Sequence, residues 1–125
     1  MDPRGAAGGN HVLTCRIIHD HVASYPDAPV FSAGEELTVE SRETVWEGWV
    51  WCVNREGRGA WVPEGFVTRR GGVCTALRDY DSSELNVRAG DVVEVHEEAA
   101  GWLWCRDREG RWGWIPAFCT ERREA

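Results

Sequence analysis

The chain has 125 residues, and its 14 basic side chains, all arginine, face 21 carboxylates for a formal net charge of −7. That balance argues against a nucleic acid partner, whose binding is driven chiefly by cationic neutralisation of phosphates. The lack of lysine excludes lysine-based covalent catalysis. No apolar run approaches the ~18 residues a membrane helix needs, so no membrane partner is expected.

Residues 1–11 carry an acid beside Met1 and no apolar stretch, which reads as a disordered tail rather than a signal peptide. Five cysteines, an odd number, without an export signal point to free thiols in a reducing, cytoplasmic setting. After the tail the chain shows short alternating runs separated by turn residues, the all-β pattern, and no helical periodicity. Cys15-Arg16-Ile17-Ile18-His19-Asp20-His21 opens the first unit. Ala33-Gly34-Glu35 follows, and then Leu37 and Val39 share one face of a strand. Gly48-Trp49-Val50-Trp51-Cys52 leads into the turn Asn54-Arg55-Glu56-Gly57, and the next strand ends at Pro63, which stops ladder hydrogen bonding.

Past the short link Thr68-Arg69-Arg70-Gly71-Gly72 the same text returns. Cys74-Thr75-Ala76-Leu77-Arg78-Asp79-Tyr80 answers the opening segment, and Ala89-Gly90-Asp91 answers Ala33-Gly34-Glu35. Half of the positions from Gly101 to Thr120 are identical to those from Gly48 to Val67. Such a repeat means two copies of one supersecondary unit, over residues 12–69 and 73–122. In the second copy Val93 and Val95 point one way, and Leu103 and Cys105 face inward against outward Trp102, Trp104 and Arg106. Asp107-Arg108-Glu109-Gly110 reads as a tight hairpin turn with Gly110 at positive φ. About five short strands per copy, with a single helical turn after Pro63 and after Pro116, suggest two small five-stranded barrels in tandem. A five-residue link would hold them as one semi-rigid unit.

At this point the second copy resembles a Src homology 3 (SH3) domain. Ala76-Leu77-Arg78-Asp79-Tyr80 sits where that family has its ALYDY segment. Glu84-Leu85-Asn86-Val87-Arg88-Ala89-Gly90-Asp91 is similar to the end of its RT loop and diverging turn. Gly101-Trp102 resembles the groove tryptophan, and Gly113-Trp114-Ile115-Pro116 the G-[YWF]-[IV]-P ending. The first copy keeps the second half of the pattern, but its RT loop is lengthened by Tyr25-Pro26-Asp27-Ala28-Pro29, and Ile17-Ile18-His19-Asp20-His21 stands for ALYDY. The pair looks like the bacterial variant-SH3 tandem proteins.

The resemblance implies a peptide groove in the second copy lined by Tyr80, Trp102, Pro116 and Phe118, with Glu84 as the RT-loop acid. The first copy would offer His19, His21, Trp49, Pro63 and Phe66. A proline-rich segment is already extended and accepts flat aromatic walls, while an acid at one end would hold a ligand Arg. Arg78 replaces the first ALYDY tyrosine, which removes one wall; Cys119 stands where the family has tyrosine, so Phe118 would have to take over. Trp51 and Trp104 are expected to cover the outer sheet face. Trp46 and Trp112 lack a counterpart, and at least one is expected between the barrels. His19 and His21 share a strand face near Cys15 and Asp20, which could seat a metal, yet no CxxC or HExxH accompanies them. A modified groove wall with pH-dependent binding is the favoured reading of the two imidazoles. Cys52 and Cys105 fall on the inward phase, where thiols are inert. No base and oxyanion site accompanies any nucleophile, so neither enzyme nor cofactor is expected. The leading expectation is an adaptor that docks short proline-rich or extended peptides. The alternative is an assembly protein whose barrels pack on each other or on a fixed partner, their grooves degenerate. A wall-binding module and an aromatic-cage reader of methylated cations rank behind these.

Overall fold

The computed structural model describes residues 13–24, 28–42 and 47–122. The tail expected over residues 1–11, the inserted Tyr25-Pro26-Asp27 and Trp46 lie outside the described residues. The first repeat contributes β1 (Leu13–Ile17), β2 (Val30–Phe31), β3 (Glu36–Glu40), β4 (Trp49–Val53), β5 (Gly59–Pro63) and β6 (Val67–Arg70). The second contributes β7 (Val73–Ala76), β8 (Tyr80–Asp81), β9 (Val92–Ala99), β10 (Trp102–Arg106), β11 (Trp112–Pro116) and β12 (Thr120–Arg122). The class is all-β and every sheet is antiparallel. One 3-10 turn follows Pro63, Glu64–Phe66, and another follows Pro116, Ala117–Cys119.

The hairpin turns form as their residues dictate. Asn54 Oδ1 accepts the amides of Glu56 and Arg58, both at 3.0 Å. Asp107 Oδ1 accepts those of Glu109 and Arg111, both at 2.9 Å. Such side-chain acceptors mimic a backbone turn. Gly110 has the expected positive φ, 83°, matched by 82° at Gly57.

Strand pairing departs from the repeat boundaries. The two five-stranded sheets run β11-β10-β9-β1-β12 and β5-β4-β3-β7-β6. The first strand of the first repeat therefore completes the sheet of the second, with Cys15 opposite Val93 and Arg122. Reciprocally, β7 lies between β3 and β6, with Cys74 opposite Leu37 and Arg69. Each sheet thus mixes strands from 12–69 with strands from 73–122. The cause lies in the link. Arg70 pairs with Val73 across Gly71-Gly72, and Gly71 sits at φ 59°. A two-residue hairpin turn keeps β7 hydrogen-bonded to β6, so β7 cannot cross to its own repeat, and β1 fills the equivalent place there.

The turn motifs lock the exchange. Gly34 N donates to Ala76 O at 2.7 Å and Gly90 N to Ile17 O at 2.8 Å. Asp79 Oδ1 accepts the Ala33 amide at 2.8 Å, and Asp20 Oδ1 the Ala89 amide at 2.7 Å. The strands β2 and β8 pair across the repeats as well, Phe31 opposite Tyr80.

Each core is mixed in the same way. Cys15 and Ile17 of β1 pack with Leu85, Val87, Val93, Leu103, Cys105 and Ile115. Cys74 and Tyr80 join Phe31, Leu37, Val50, Cys52 and Val62. The thiols of Cys52 and Cys74 meet at 3.6 Å. Burial first, and then the neighbouring thiol of Cys74, push Cys52 up to about 12; burial and Cys15 push Cys105 up to about 12. All five cysteines are free and buried. Leu103 and Cys105 face inward as expected, but the outward-phase Trp49 and Trp102 are each only 8% exposed. Their outer faces are covered by the other half of the molecule.

Candidate functional site

Strand exchange regroups the residues singled out from the sequence. One group gathers His19 and His21 of the first repeat with Glu84, Trp102, Pro116 and Phe118 of the second. The other gathers Arg78 and Tyr80 of the second repeat with Trp49, Pro63 and Phe66 of the first. Neither set coincides with a single repeat, because the segment that follows β1 or β7 travels with its strand.

In the first group the His21 ring stands edge-on to Trp102 at 5.5 Å between centroids. Trp102 pairs with Pro116 across the β10–β11 ladder. Glu84 Oε1 lies 2.9 Å from His21 Nε2 and accepts the Ser24 amide and hydroxyl, each at 2.9 Å. Its side chain is only 8% exposed. The acid that the resemblance would offer to a ligand arginine is thus already engaged by the first repeat. His19 and Phe118 lie at the open edge, 6.3 Å apart, with Phe118 61% exposed.

In the second group Phe66 meets Tyr80 edge-on at 5.6 Å. The Tyr80 hydroxyl donates to Trp61 O at 2.8 Å, which holds the ring in place. Trp49 pairs with Pro63 across β4–β5. Arg78, read from the sequence as a missing wall, lies over the Phe66 ring at 4.3 Å. It also donates to both oxygens of Glu97, at 2.7 and 3.0 Å. Those hydrogen bonds raise its pKa further above the usual arginine value.

Trp114 closes this second group. It belongs to β11, whose Ile115 enters the core beneath its own sheet, so the indole projects from the opposite face of that sheet. There it reaches Tyr80 at 6.1 Å, Phe66 at 6.4 Å and Trp49 at 6.4 Å between centroids. Its Nε1 donates to Asp81 O at 2.9 Å, and only 3% of the residue is exposed. Trp49 in turn meets Trp102 edge-on at 5.9 Å and donates its Nε1 to Ala100 O at 2.9 Å. The aromatic walls therefore cover one another. Trp112, expected as a possible contact between units, is instead 41% exposed and stacks on Trp104 of its own sheet.

The sequence reading missed the part played by Trp114. The signal was the Gly71-Gly72 link, too short to release β7, which forces the two halves face to face. No group of three His, Cys, Asp or Glu side chains among the described residues could hold a metal ion. Cys15 points into the core while His19 is exposed, so those candidate ligands do not converge. No helix among the described residues is long and apolar enough to cross a membrane.

No curated protein matches the chain. Residues 75–117 match the family model of the SH3 domain, and the match runs from β7 through β11, across both sheets. Over that stretch the chain is similar to SH3 domains, a family of generally non-catalytic protein-interaction modules.

Proposed function

We propose that the chain is a non-enzymatic protein-interaction module in which the aromatic residues that an SH3 domain offers to a peptide hold its two repeats together. The observation that carries this reading is Trp114, 3% exposed among Tyr80, Phe66 and Trp49. The repeats at 12–69 and 73–122 are then two SH3-like barrels of the bacterial tandem kind with exchanged first strands. The setting is cytoplasmic, in keeping with five free thiols, and neither nucleic acid nor membrane is a partner. Titration of the 15N-labelled chain with a proline-rich, Arg-containing peptide tests the reading. Amide signals of Tyr80, Glu84 and Trp102 should stay in place. Saturable shifts at those three would overturn it in favour of an adaptor that docks proline-rich peptides.

A second reading rests on the 61% exposure of Phe118 beside His19. In it an extended peptide lies along His19, His21 and Phe118, at the rim of Trp102 and Pro116. Phe118→Ala should then weaken such a peptide about tenfold, since an exposed aromatic anchor dominates a small interface. An unchanged affinity would remove it.

A further inference from the structure

Two thiols from different repeats meet in the core of the sheet that β7 completes. Cys52 on β4 and Cys74 on β7 are 0% and 2% exposed, and their sulfurs lie 3.6 Å apart. Around them stand Phe31, Leu37, Val50 and Val62. The thiol of Cys105, the counterpart of Cys52 in the other sheet, donates instead to Leu103 O at 3.6 Å. Packing alone asks for a small apolar group at each position and does not require two sulfurs to face each other.

A disulfide is not the product this contact favours. β3 lies between β4 and β7, so two strand spacings of about 4.8 Å hold the backbones about 9 Å apart. A disulfide needs Cα atoms within about 7 Å, which here means moving a strand. A metal between the sulfurs suits that width. A metal–thiolate bond is about 2.3 Å long, so a linear S–metal–S unit spans about 4.6 Å and the thiols part by only about 1 Å. The donor set then selects the ion. No third His, Cys, Asp or Glu joins the pair among the described residues. Zinc takes four ligands and hard cations take oxygen, whereas a soft monovalent ion is matched by thiolates. Burial first, and then Cys74, keep the Cys52 thiol protonated, and the positive charge of Arg69 works against them. Arg69 lies opposite Cys74 on β6 and donates to Gly71 O at 3.2 Å. Two thiolates on a monovalent ion carry one net negative charge, which that guanidinium offsets.

We infer that Cys52 and Cys74 form a two-coordinate thiolate site for a soft monovalent metal ion of the cuprous class, which ties β7 of the second repeat to β4 of the first. On binding, each S–H bond gives way to a sulfur–metal bond, two protons pass to solvent, and no oxidation state changes. The ion enters at the β6–β7 hairpin. Its outer strand β6 is a sheet edge with three of its four residues exposed, so it opens more readily than the strands within. The ion meets Cys74 there, and the closing hairpin brings it to Cys52. The inference goes beyond the reading above, because no groove residue takes part in the site.

The test equilibrates the full reduced chain, without oxygen, with cuprous ion supplied as its bicinchoninate complex. One ion per chain should leave the chelator, and X-ray absorption at the copper edge should show two sulfur neighbours with no nitrogen or oxygen. In 15N spectra the amides of Cys52 and Cys74 should shift while those of Trp102 and Phe118 stay in place. Affinity should rise at least about tenfold per pH unit from about pH 6 to pH 8, since thiol protons are displaced. Cys52→Ala and Cys74→Ala should each lower it at least about a hundredfold, because half of the ligand set is gone. Cys119→Ala, which removes another buried thiol, should leave it unchanged. Should an alanine variant fail to fold, the sulfur count and the amide shifts of the unaltered chain decide. No transfer of copper from the chelator, full affinity in either site variant, three or more sulfur neighbours, or a Cys52–Cys74 disulfide formed in air overturns the inference and leaves the covered grooves standing.

Discussion

Replacing Ile17 by alanine separates an exchanged first strand from an unexchanged one. Ile17 belongs to the first repeat, is 1% exposed, and packs on Leu85, Val87, Val93, Leu103 and Ile115 of the second. The substitution deletes three carbon atoms, about 2.4 kcal/mol of transfer free energy at ~0.8 kcal/mol per methylene. The residual cavity adds about 1 kcal/mol, because neighbouring strands relax only in part. A loss of about 3–4 kcal/mol follows, which lowers Tm by about 10–15 °C for a chain of this size. Urea unfolding gives the total, and amide hydrogen exchange gives the location. Protection should fall first in β9, β10 and β12 of the second repeat, while β3 and β4 of the first keep theirs. The reasoning is refuted if β3 and β4 lose protection and β9 does not, or if the total loss is under about 1 kcal/mol.

Trp114→Ala should cost about 3–5 kcal/mol by urea unfolding, more than Trp61→Ala, since Trp61 is only half-buried; equal losses would contradict the packing of Trp114 between the halves. Arg78→Tyr, which restores the SH3 pattern, should lower stability by about 1 kcal/mol through loss of the partly exposed Glu97 pair and the stack on Phe66, and a raised Tm would refute that. Cys52 and Cys105, both near 12 in the fold, should resist thiol reagents at pH 8 until the chain unfolds; rapid native labelling of both would contradict their burial. Unfolded thiols ionise near pH ~8.5, so the neutral buried thiols contribute stability below that pH. The contribution is lost as pH rises from about 8.5 to about 12, because only the unfolded chain sheds the protons. Stability that increases between pH 8.5 and 10.5 would overturn the sign.

What the sequence by itself determined was local. Period-2 alternation set the strands, Asn54 and Asp107 set the hairpin turns, Pro63 and Pro116 set where the ladders stop, and the inward phase of Leu103 and Cys105 placed them in a core. Each of these depends on residues a few positions apart, where turn chemistry and strand parity have one answer. The partner of each first strand was not legible in that way. Cys15-Arg16-Ile17 and Cys74-Thr75-Ala76 present the same inward pattern to nearly identical neighbours, so either strand satisfies either sheet, and only the two-residue turn at Gly71-Gly72 breaks the tie. The candidate groove followed the strands. Tyr80 and Trp102, assigned to one groove by chain position, lie in different groups once β1 and β7 change places. Outward parity set Trp102 on the face away from Leu103 and Cys105, but parity knows only a residue's own sheet. Its burial was decided in three dimensions, where the outer face of one half became the lining of the other.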